Sequence, residues 1–380
     1  MARLGLRLLA FLFGIAVLRA GEVRRAVPAV RIDGREYVRM ADVAARLKAD
    51  LRWIEAGRRA QLSFEGHRVE LVAGGHFSGL LAYADGLEVF LGDPALSRGG
   101  ELYVSRIDLE RRLVPLMHWG WGGEVPRTPR IITIDPGHGG WDPGKENPRL
   151  HLQEKTLTLD TALRLRKLLE AGGYRVVMTR SDDRAVAAKK EEDLPLRAAA
   201  AVAAHADLFI SIHFNSGSGG DTHSHGTEVY TFAPLHQSST DSTLERKNDA
   251  WPNRDHPGVP AANALDHWNV VFAHAVHREL NASLHTEDRG EKLMHLAVLR
   301  DLDCPGILVE SAFISNDAEA RRAAEPAFRQ QIAEALLAGI QRYARELDTL
   351  RPGPREPGSA HPAAPAAAQP LQRPTRPSRP

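Results

Sequence analysis

The chain has 380 residues, 43% hydrophobic and 26% charged, which is typical of a globular protein of about two domains and excludes a multi-span membrane protein. Because 49 Lys and Arg residues nearly balance 48 Asp and Glu residues, the formal net charge is +1 and we expect no nucleic-acid partner. The single cysteine, Cys304, excludes an intramolecular disulfide and a thiolate zinc site, so any metal ligands must be His or carboxylate side chains.

The N-terminus contains two arginines followed by an apolar run at residues 8–18. This run is shorter than the roughly 20 apolar residues that a membrane-spanning helix needs, so residues 1–20 are predicted to be a secretory signal peptide. Leu18 is larger than the residue usually found three positions before a cleavage site, which leaves an uncleaved anchor as the alternative. We therefore expect an exported protein, periplasmic or extracellular, that is associated with the cell envelope.

Residues 27–118 are predicted to form a small α+β domain that contains an internal repeat. The sequence DGREYVRMADVAARL at 33–47 matches RGGELYVSRIDLERRL at 98–113, and each copy has an aspartate, Asp42 or Asp108, near the start of a helix. Each copy is typical of a glycine turn, a short strand and a helix with an acidic first turn. The pattern resembles the N-terminal module of copper amine oxidases and of several bacterial cell-wall enzymes. The resemblance implies a positioning or wall-binding domain, with a purely structural module as the alternative.

Residues 119–130 are predicted to be a linker, and residues 131–348 are predicted to form an α/β domain in which strands and helices alternate. We expect a twisted, mostly parallel sheet with helices on both faces. The predicted strands, in chain order, are IITI (131–134), YRVVMT (174–179), LFISIH (208–213) and GILVE (306–310).

Two helices of this domain can be predicted from the spacing of their apolar residues. One begins near Glu154, ends at a Gly-Gly pair, and carries four residues on its buried face, Leu159, Ala162, Leu163 and Leu169. The other is a single amphipathic helix over residues 317–347. Residues 349–380 contain repeated prolines that block helix and sheet, which predicts a disordered Pro-rich tail.

Side chains able to bind a metal stand at the ends of three predicted strands. His138 follows the first strand, His213 ends a later one, and Glu310 ends the last. Because the carboxyl ends of strands line the ligand crevice in open α/β sheets, we expect these side chains at one edge, with Glu154 nearby at the start of its helix. Two histidines and one glutamate with an open fourth position are the ligand set of a catalytic zinc ion, which leaves Glu310 as a candidate general base.

The loop around His138 contains three glycines, Gly137, Gly139 and Gly140. Glycines allow backbone conformations with positive φ, which would let a tight loop turn the imidazole toward the metal. Asp135 is expected to accept a hydrogen bond from a ligand imidazole, or else only to stabilise the turn.

The segments IDPGHGG, QEK, SIHFNS, GTEVYTF and LVESAFISN occur in this order between about residues 130 and 347. This ordered set resembles the zinc-dependent N-acetylmuramoyl-L-alanine amidases that cleave bacterial peptidoglycan. The resemblance implies that His138, Glu154 and His213 bind one zinc ion (Zn2+) and that Glu310 is catalytic. It also implies hydrolysis of the amide bond between N-acetylmuramic acid and the L-alanine of the stem peptide. We expect peptidoglycan as the partner and a monomer as the active species.

Two segments depart from the family pattern. KENPRLHLQEK is longer than the loop usual in the family, and it makes His151 and Glu146 alternative ligands. Residues 233–264 are an insertion that we expect to shape the substrate groove or to cover the zinc, and an activator would act there. His223 and His225 offer a second metal site, with a solvated loop as the alternative.

Asn215, two residues beyond a predicted ligand, and Arg289 are predicted to bind substrate, with a surface salt bridge as the alternative for Arg289. The residues leave two other functions open. One is a zinc peptidase that cuts within the stem peptide, since the same chemistry hydrolyses any amide. The other is a non-catalytic peptidoglycan-binding protein.

Overall fold

The computed structural model describes residues 27–74, 78–117, 124–234, 237, 239–240 and 265–350. Four predicted segments lie wholly or largely outside these ranges: the signal peptide, part of the linker, most of the insertion and nearly all of the tail. These segments therefore stay predictions. Within these ranges, no helix has both the length and the apolarity that crossing a membrane requires.

The strands, in chain order, are β1 (Ala29–Ile32), β2 (Arg35–Arg39), β3 (Asp50–Glu55), β4 (Arg59–Phe64), β5 (His67–Val72), β6 (Leu81–Ala84), β7 (Leu87–Phe90), β8 (Leu96–Arg98), β9 (Glu101–Ser105), β10 (Ile131–Pro136), β11 (Glu146–Asn147), β12 (Leu152–Gln153), β13 (Arg175–Met178), β14 (Leu208–Asn215), β15 (Thr227–Phe232), β16 (Asp288–Met294) and β17 (Gly306–Phe313). The helices are α1 (Met40–Leu47), α2 (residues 106–117), α3 (Glu154–Ala171), α4 (Lys190–Ala204), α5 (Asp266–Leu284), α6 (Ala297–Arg300), α7 (Asp317–Ala324) and α8 (Pro326–Leu350). A π-helical turn, Leu109–Leu113, lies within α2.

An eleven-stranded mixed sheet is the centre of the fold, with the strand order β13-β10-β14-β17-β15-β16-β7-β6-β5-β4-β3. Strands β13, β10, β14 and β17 are parallel, β15 is antiparallel to β17, and β16 is parallel to β15. Successive residues of β14, such as Phe209 and Ile210, point to opposite faces and are both fully buried. Burial on both faces explains the continuous apolar runs in the sequence, and the predicted α/β fold is confirmed.

Helices cover both faces of the parallel part of the sheet. On one face α3, α5 and α8 pack around fully buried side chains that include Leu165, Phe272 and Leu336. On the other face α4 and α6 contribute Ala198 and Leu299 to a core with Phe209, Tyr230 and Leu308. With both faces covered, the carboxyl edge of the strands is the place left for a binding site.

Cys304 belongs to the core on the second face and is 3% exposed. Burial raises the pKa of its thiol to about 12, so the thiol stays protonated. Cys304 therefore contributes packing, as a small apolar side chain does.

The N-terminal residues extend the large sheet and add a second, smaller one. Strands β3 to β7 form an antiparallel meander, and β7 lies beside β16, where Val89 pairs with Glu291. Strands β1, β2, β9 and β8 form a separate four-stranded sheet. Because β2 and β9 come from the two repeat copies and pair with each other, Val38 faces Val104 in the core. The pairing of β7 with β16 joins the two regions that the sequence analysis separates into domains, residues 27–118 and 131–348. The position of the boundary between them stays a prediction.

Arg112 connects the two segments through a buried guanidinium group. Its Nε donates to the carbonyl oxygen of Phe90 at 3.0 Å. Its terminal nitrogens donate to Thr231 Oγ1 at 3.2 Å and to the carbonyl oxygen of Glu291 at 2.6 Å. Arg112 is 1% exposed, so no solvent is available to replace it if the side chain is removed.

We expect Arg112→Met to lower the free energy of unfolding by about 3 kcal/mol, because three buried acceptors lose a charged donor. Urea denaturation followed by circular dichroism measures the change. Arg58→Met, at an exposed arginine of the same segment, is the control and should cost less than about 0.5 kcal/mol. A loss below about 1 kcal/mol for Arg112→Met would show that this connection does not stabilise the fold.

The predicted single C-terminal helix is wrong, because the chain forms α7 and α8 with a break between them. Glu325 has φ −76° and ψ 125°, an extended conformation, since the proline that follows excludes the helical region for the residue before it. Pro326 then occupies the first position of α8, where a missing backbone N–H is tolerated.

The buried face of α3 also differs in part from the prediction. Leu163 is 37% exposed, whereas Leu157, Leu165 and Leu169 are buried together with the predicted Ala162. These positions follow one another at helical spacing, and Leu163 lies outside that stripe.

Candidate active site

His138, the first predicted ligand, lies two residues beyond β10 on a tight loop. Its φ is +62°, in the left-handed region that costs a residue with a side chain about 1 kcal/mol or more. Two buried arginines bind the carbonyl oxygens of this loop. Arg197 donates to the carbonyls of Pro136 and His138, both at 2.9 Å. Arg180 donates to the carbonyls of Pro136 and Gly137, also at 2.9 Å. Hydrogen bonds from the two arginines therefore stabilise the strained conformation of the loop.

The structure brings His138, Glu154 and His213 together at the carboxyl edge of the sheet. Glu154 Oε2 lies 3.0 Å from His138 Nε2, and Glu154 Oε1 lies 2.9 Å from His213 Nδ1. One possible ligand atom from each residue lies within 4.8 Å of the other two. Glu154 is 2% exposed and also accepts hydrogen bonds from the backbone N–H groups of Lys145 and Phe214, which fix its carboxylate.

Two glycines leave the space that these side chains fill. A Cβ on Gly137 would lie 2.3 Å from Cε1 of His213, and a Cβ on Gly144 would lie 2.6 Å from Oε2 of Glu154. Both positions therefore require glycine if the three residues are to converge. Two imidazoles and one carboxylate in this arrangement fit a divalent metal ion of the zinc type.

Positive φ occurs at Gly139 and Gly140, at 131° and 58°, but not at Gly137. Gly137 is required because its neighbour is the ring of His213. The left-handed conformation is adopted by His138 itself, which the sequence does not predict because residues with side chains rarely adopt it.

Gly137→Ala is expected to weaken metal binding about tenfold or more, because the added methyl group displaces the imidazole of His213. Titration with zinc against a competing chelator measures the affinity. Gly172→Ala, at the end of α3 with φ −80°, is the control and should change the affinity less than about twofold. Unchanged affinity in Gly137→Ala would show that the ring can move without loss of the metal.

The carboxylate that contacts Nδ1 of His138 is Asp142, not Asp135. His138 Nδ1 lies 2.9 Å from Asp142 Oδ2, a contact that orients the ring. Asp135 instead accepts hydrogen bonds from three side chains beneath the loop, Thr179, Ser211 and Arg197. Of the two alternatives for Asp135, stabilisation of the turn is the one that agrees with these contacts. The only signal for Asp142 in the sequence is a carboxylate four residues after His138.

The electrostatics of the cluster favour a cation. Burial opposes ionisation of Glu154, but hydrogen bonds from His138 and His213 outweigh it and hold the pKa of Glu154 well below its usual range. Burial also disfavours the charged form of His138, yet Glu154 and Asp142 raise the pKa of that imidazole. A carboxylate that stays ionised in a buried pocket is a suitable metal ligand.

Glu310 lies beside this cluster on β17. It pairs in register with His213 on β14 and with Glu228 on β15. Burial, together with the charges of Glu154 and Glu228, raises the pKa of Glu310 well above its usual range. Its Oε2 is buried and has no hydrogen-bond partner among the residues described. A carboxyl group with a raised pKa and a free oxygen is suited to accept a proton and to return it.

Glu228 is a candidate functional residue that the sequence prediction missed. It is 2% exposed and accepts hydrogen bonds from Asn215 Nδ2 at 2.8 Å, Arg289 Nε at 2.7 Å and Lys292 Nζ at 2.6 Å. Asn215 and Arg289 are therefore anchored on one buried carboxylate, and the ion pair of Arg289 is with this buried group and not a surface salt bridge. Their binding of substrate stays a prediction. The available signal was a glutamate within the strand sequence GTEVYTF.

The other residues considered as ligands do not join the cluster. His151, on the turn between β11 and β12, and Glu146, in β11, are both exposed. His223 and His225 are exposed, and His225 Nε2 lies 2.9 Å from a carboxylate oxygen of Glu287. Over the part of the chain that the structure describes, the cluster of His138 with its two partners is the only such group of metal-binding side chains.

Two cavities lie at this edge of the sheet. The first, of about 400 Å³, contains the cluster residues His138 and His213, and its wall combines apolar side chains such as Trp141, Leu194, Leu296 and Val298 with charged ones such as Lys190, Asp193 and Arg197. The second, of about 620 Å³, has mostly polar walls: Lys145, Asn147, Arg149, Ser216, Thr222 and Ser315. The second cavity adjoins the cluster through Lys145, whose backbone N–H binds Glu154. A substrate that extends into both cavities therefore meets an aromatic side chain, Trp141, in the first and none among the lining residues of the second.

Comparison with known proteins matches residues 132–342, more than half of the chain, to a family described as N-acetylmuramoyl-L-alanine amidase. The N-acetylmuramoyl-L-alanine amidase AmiC of Neisseria meningitidis is 34% identical over 251 residues, which cover 62% of this chain and 57% of the relative. AmiC of Escherichia coli O6:H1 is 33% identical over 258 residues, 64% of this chain and 60% of the relative. The chain thus spans less than two thirds of the length of both relatives.

Among solved structures, the catalytic domain of CwlV, N-acetylmuramoyl-L-alanine amidase from Bacillus (Paenibacillus) polymyxa, is similar with a TM-score of 0.44. The sequences are 26% identical, and the match covers 56% of this chain and 97% of that one. The matched share is close to that of the family match.

Proposed function

Because this chain belongs to the N-acetylmuramoyl-L-alanine amidase family, we propose that it hydrolyses the amide bond between N-acetylmuramic acid and the L-alanine of the stem peptide in bacterial peptidoglycan. The observation that carries the proposal is the convergence of His138, Glu154 and His213 beside Glu310, whose Oε2 has no hydrogen-bond partner among the described residues. Family membership alone does not establish catalytic activity. Metal-assisted amide hydrolysis requires a metal-binding cluster beside a group that can transfer protons, and both are present here.

We infer that the metal is zinc, with one ion in each catalytic domain. His138, Glu154 and His213 would hold it, and Asp142 would orient the ring of His138. When bound, zinc polarises the scissile carbonyl group and lowers the pKa of water. Three protein ligands support a catalytic role, since structural zinc sites use four.

Glu310 performs the proton transfers. Its Oε2, which has no hydrogen-bond partner in the described part of the chain, accepts a proton from the attacking water as the new C–O bond forms. The same carboxyl group then donates this proton to the alanine nitrogen as the C–N bond breaks, so that the peptide leaves with a free amine. The lactyl group of the sugar is left as a carboxylic acid, which gives its proton to the surrounding water and becomes a carboxylate. The raised pKa of Glu310 supports the second step, because a weaker acid keeps the proton until the nitrogen needs it.

Asn215 and Arg289 bind the substrate in this proposal. Both retain some exposed surface, and Glu228 restricts their movement from the buried side. A side chain fixed before the substrate arrives loses little conformational entropy when it binds. Arg289 is further positioned over the ring of Phe313, with its guanidinium carbon 4.8 Å from the ring centre.

The remaining proposals concern the whole protein. Residues 1–20 direct export to the periplasm or the cell exterior, where the protein acts as a monomer associated with the cell envelope. Residues 27–118 position the enzyme on the wall, and residues 233–264 are the segment on which an activator acts. The signal-like N-terminus and the family of the catalytic region support these proposals.

Mass spectrometry of soluble products tests the proposed reaction. The mature protein is incubated with purified peptidoglycan, with and without a chelator. We expect peptides that begin with L-alanine, glycan strands without peptide, and no release when the chelator is present. Fragments cut within the stem peptide would identify a peptidase instead, and binding without release would identify a non-catalytic wall protein.

A further inference from the structure

Trp141 stands at the tip of the loop that carries His138. It is 50% exposed, the largest exposed fraction among the large apolar side chains that the structure describes. Gly139 and Asp142 close the turn beneath it through two backbone hydrogen bonds of 2.9 and 3.1 Å. An indole is thus exposed to solvent beside the metal cluster, at a position where a polar side chain would interact more favourably with water.

The indole of Trp141 is held in a fixed orientation although it is exposed. Its Nε1 donates to the carbonyl oxygen of Ala187 at 2.9 Å. The next residue, Asp142, contacts His138 Nδ1, so the turn and the metal cluster are parts of one rigid loop. Lys155 Nζ donates to the carbonyl oxygen of Gly140 at 2.9 Å and supports the turn from the other side. A rigid aromatic face binds a ligand with little loss of entropy.

The surroundings of Trp141 indicate which part of a substrate it meets. It lines the cavity that contains His138 and His213, together with apolar side chains such as Leu296 and charged side chains such as Lys190 and Asp193. The neighbouring cavity, by contrast, has no aromatic side chain among its lining residues, which include polar groups such as Lys145 and a glycine-containing loop that suits an extended peptide. An aromatic face beside charged side chains suits the sugar, since a pyranose ring has an uncharged face of C–H groups and a rim of hydroxyl groups.

We propose that Trp141 is a stacking platform for the sugar ring next to the scissile amide, so that the glycan lies in the Trp141 cavity and the peptide in the Lys145 cavity. The inference rests on the proposed function and adds the orientation of the substrate. The ring of N-acetylmuramic acid removes apolar surface of the indole from water and holds the lactyl carbonyl beside the metal cluster.

Trp141→Ala, assayed on two soluble substrates, tests this inference. One substrate is N-acetylmuramic acid linked to an L-alanyl peptide. The other is the same peptide carrying N-lactyl alone, which keeps the scissile amide but lacks the sugar. We expect kcat/KM on the first substrate to fall about tenfold, equivalent to about 1.4 kcal/mol and mainly through KM, and kcat/KM on the second to stay within about twofold.

Two further variants complete the test. Trp141→Phe keeps an aromatic face and should stay within about threefold of the wild type on the sugar substrate. Leu163→Ala, at an exposed apolar residue on α3, is the control and should change neither substrate. Equal losses on both substrates in Trp141→Ala, or no loss on either, would overturn the inference. If the wild-type, zinc-loaded protein releases no L-alanyl peptide from either substrate, the proposed function itself is wrong.

Discussion

Replacing Glu310 with glutamine is expected to lower kcat about a thousandfold while the metal stays bound. Glutamine has nearly the same shape as glutamate but cannot accept a proton from water or return it to the leaving nitrogen. Glu310 lies beside the cluster and is not one of its three members, so the loss of its charge should leave the metal ligands intact. Steady-state kinetics on a soluble muropeptide and the zinc content of the same preparation measure the two effects.

Glu170→Gln is the matched control for this prediction. Glu170 lies on the exposed side of α3, where it pairs with Arg166, and its replacement should leave kcat within about twofold. Two results would contradict the role given to Glu310. Activity above about a tenth of the wild type would remove it from the proton transfers, and loss of the metal would make it a ligand.

His138→Ala and His213→Ala are each expected to abolish both zinc binding and activity. Removing one of three protein ligands should weaken zinc binding more than about a hundredfold, because even residues that only orient a ligand contribute about ten- to a hundredfold. Glu154 would also lose the hydrogen bond that keeps its carboxylate ionised. Elemental analysis of the purified variants and competition with a chelator measure the binding. The wild type should lose activity on chelation and regain it with zinc.

His151→Ala is the control, because His151 is exposed on the turn between β11 and β12 and outside the cluster. It should retain one zinc ion and nearly full activity. The urea midpoints of the two ligand variants should match that of the metal-free wild type, which separates loss of metal from loss of fold. Full zinc content in either ligand variant would contradict the assignment of that histidine.

Four residues of the site could be predicted because each is adjacent to a strongly patterned element. His138, His213 and Glu310 follow apolar runs that a strand buried on both faces explains, and parallel strands end at the same edge. Glu154 is the first residue of α3, which starts near that edge. The strand and helix patterns were therefore enough to predict that these four residues lie close together, although the sequence shows none of their contacts.

The supporting residues could not be predicted in this way, because their contacts join distant segments. Glu228 is opposite Glu310 only because β15 inserts antiparallel beside β17. Arg180 and Arg197 bind backbone carbonyl oxygens, which leave no trace in a sequence pattern. The left-handed φ of His138 is imposed by these contacts and overrides the preference of the residue.

The association of the N-terminal strands with the large sheet was also beyond sequence patterns. Alternation of apolar and polar residues predicts strands, but not the sheet to which they belong. Here β7 and β16 pair at one position, Val89 with Glu291, and the guanidinium of Arg112 donates a hydrogen bond to the carbonyl oxygen of Glu291. Such pairing depends on the folded position of residues about 200 apart in the chain.

The buried thiol of Cys304 makes the chain a reporter of its own unfolding. A group that is 3% exposed and has a pKa of about 12 reacts with an alkylating reagent only when the core around it opens. Because the chain has no other cysteine, every labelled molecule records that one event, and no engineered probe is needed. Labelling rates with and without zinc would therefore tell how far a ligand at the strand ends stabilises the core that surrounds Cys304.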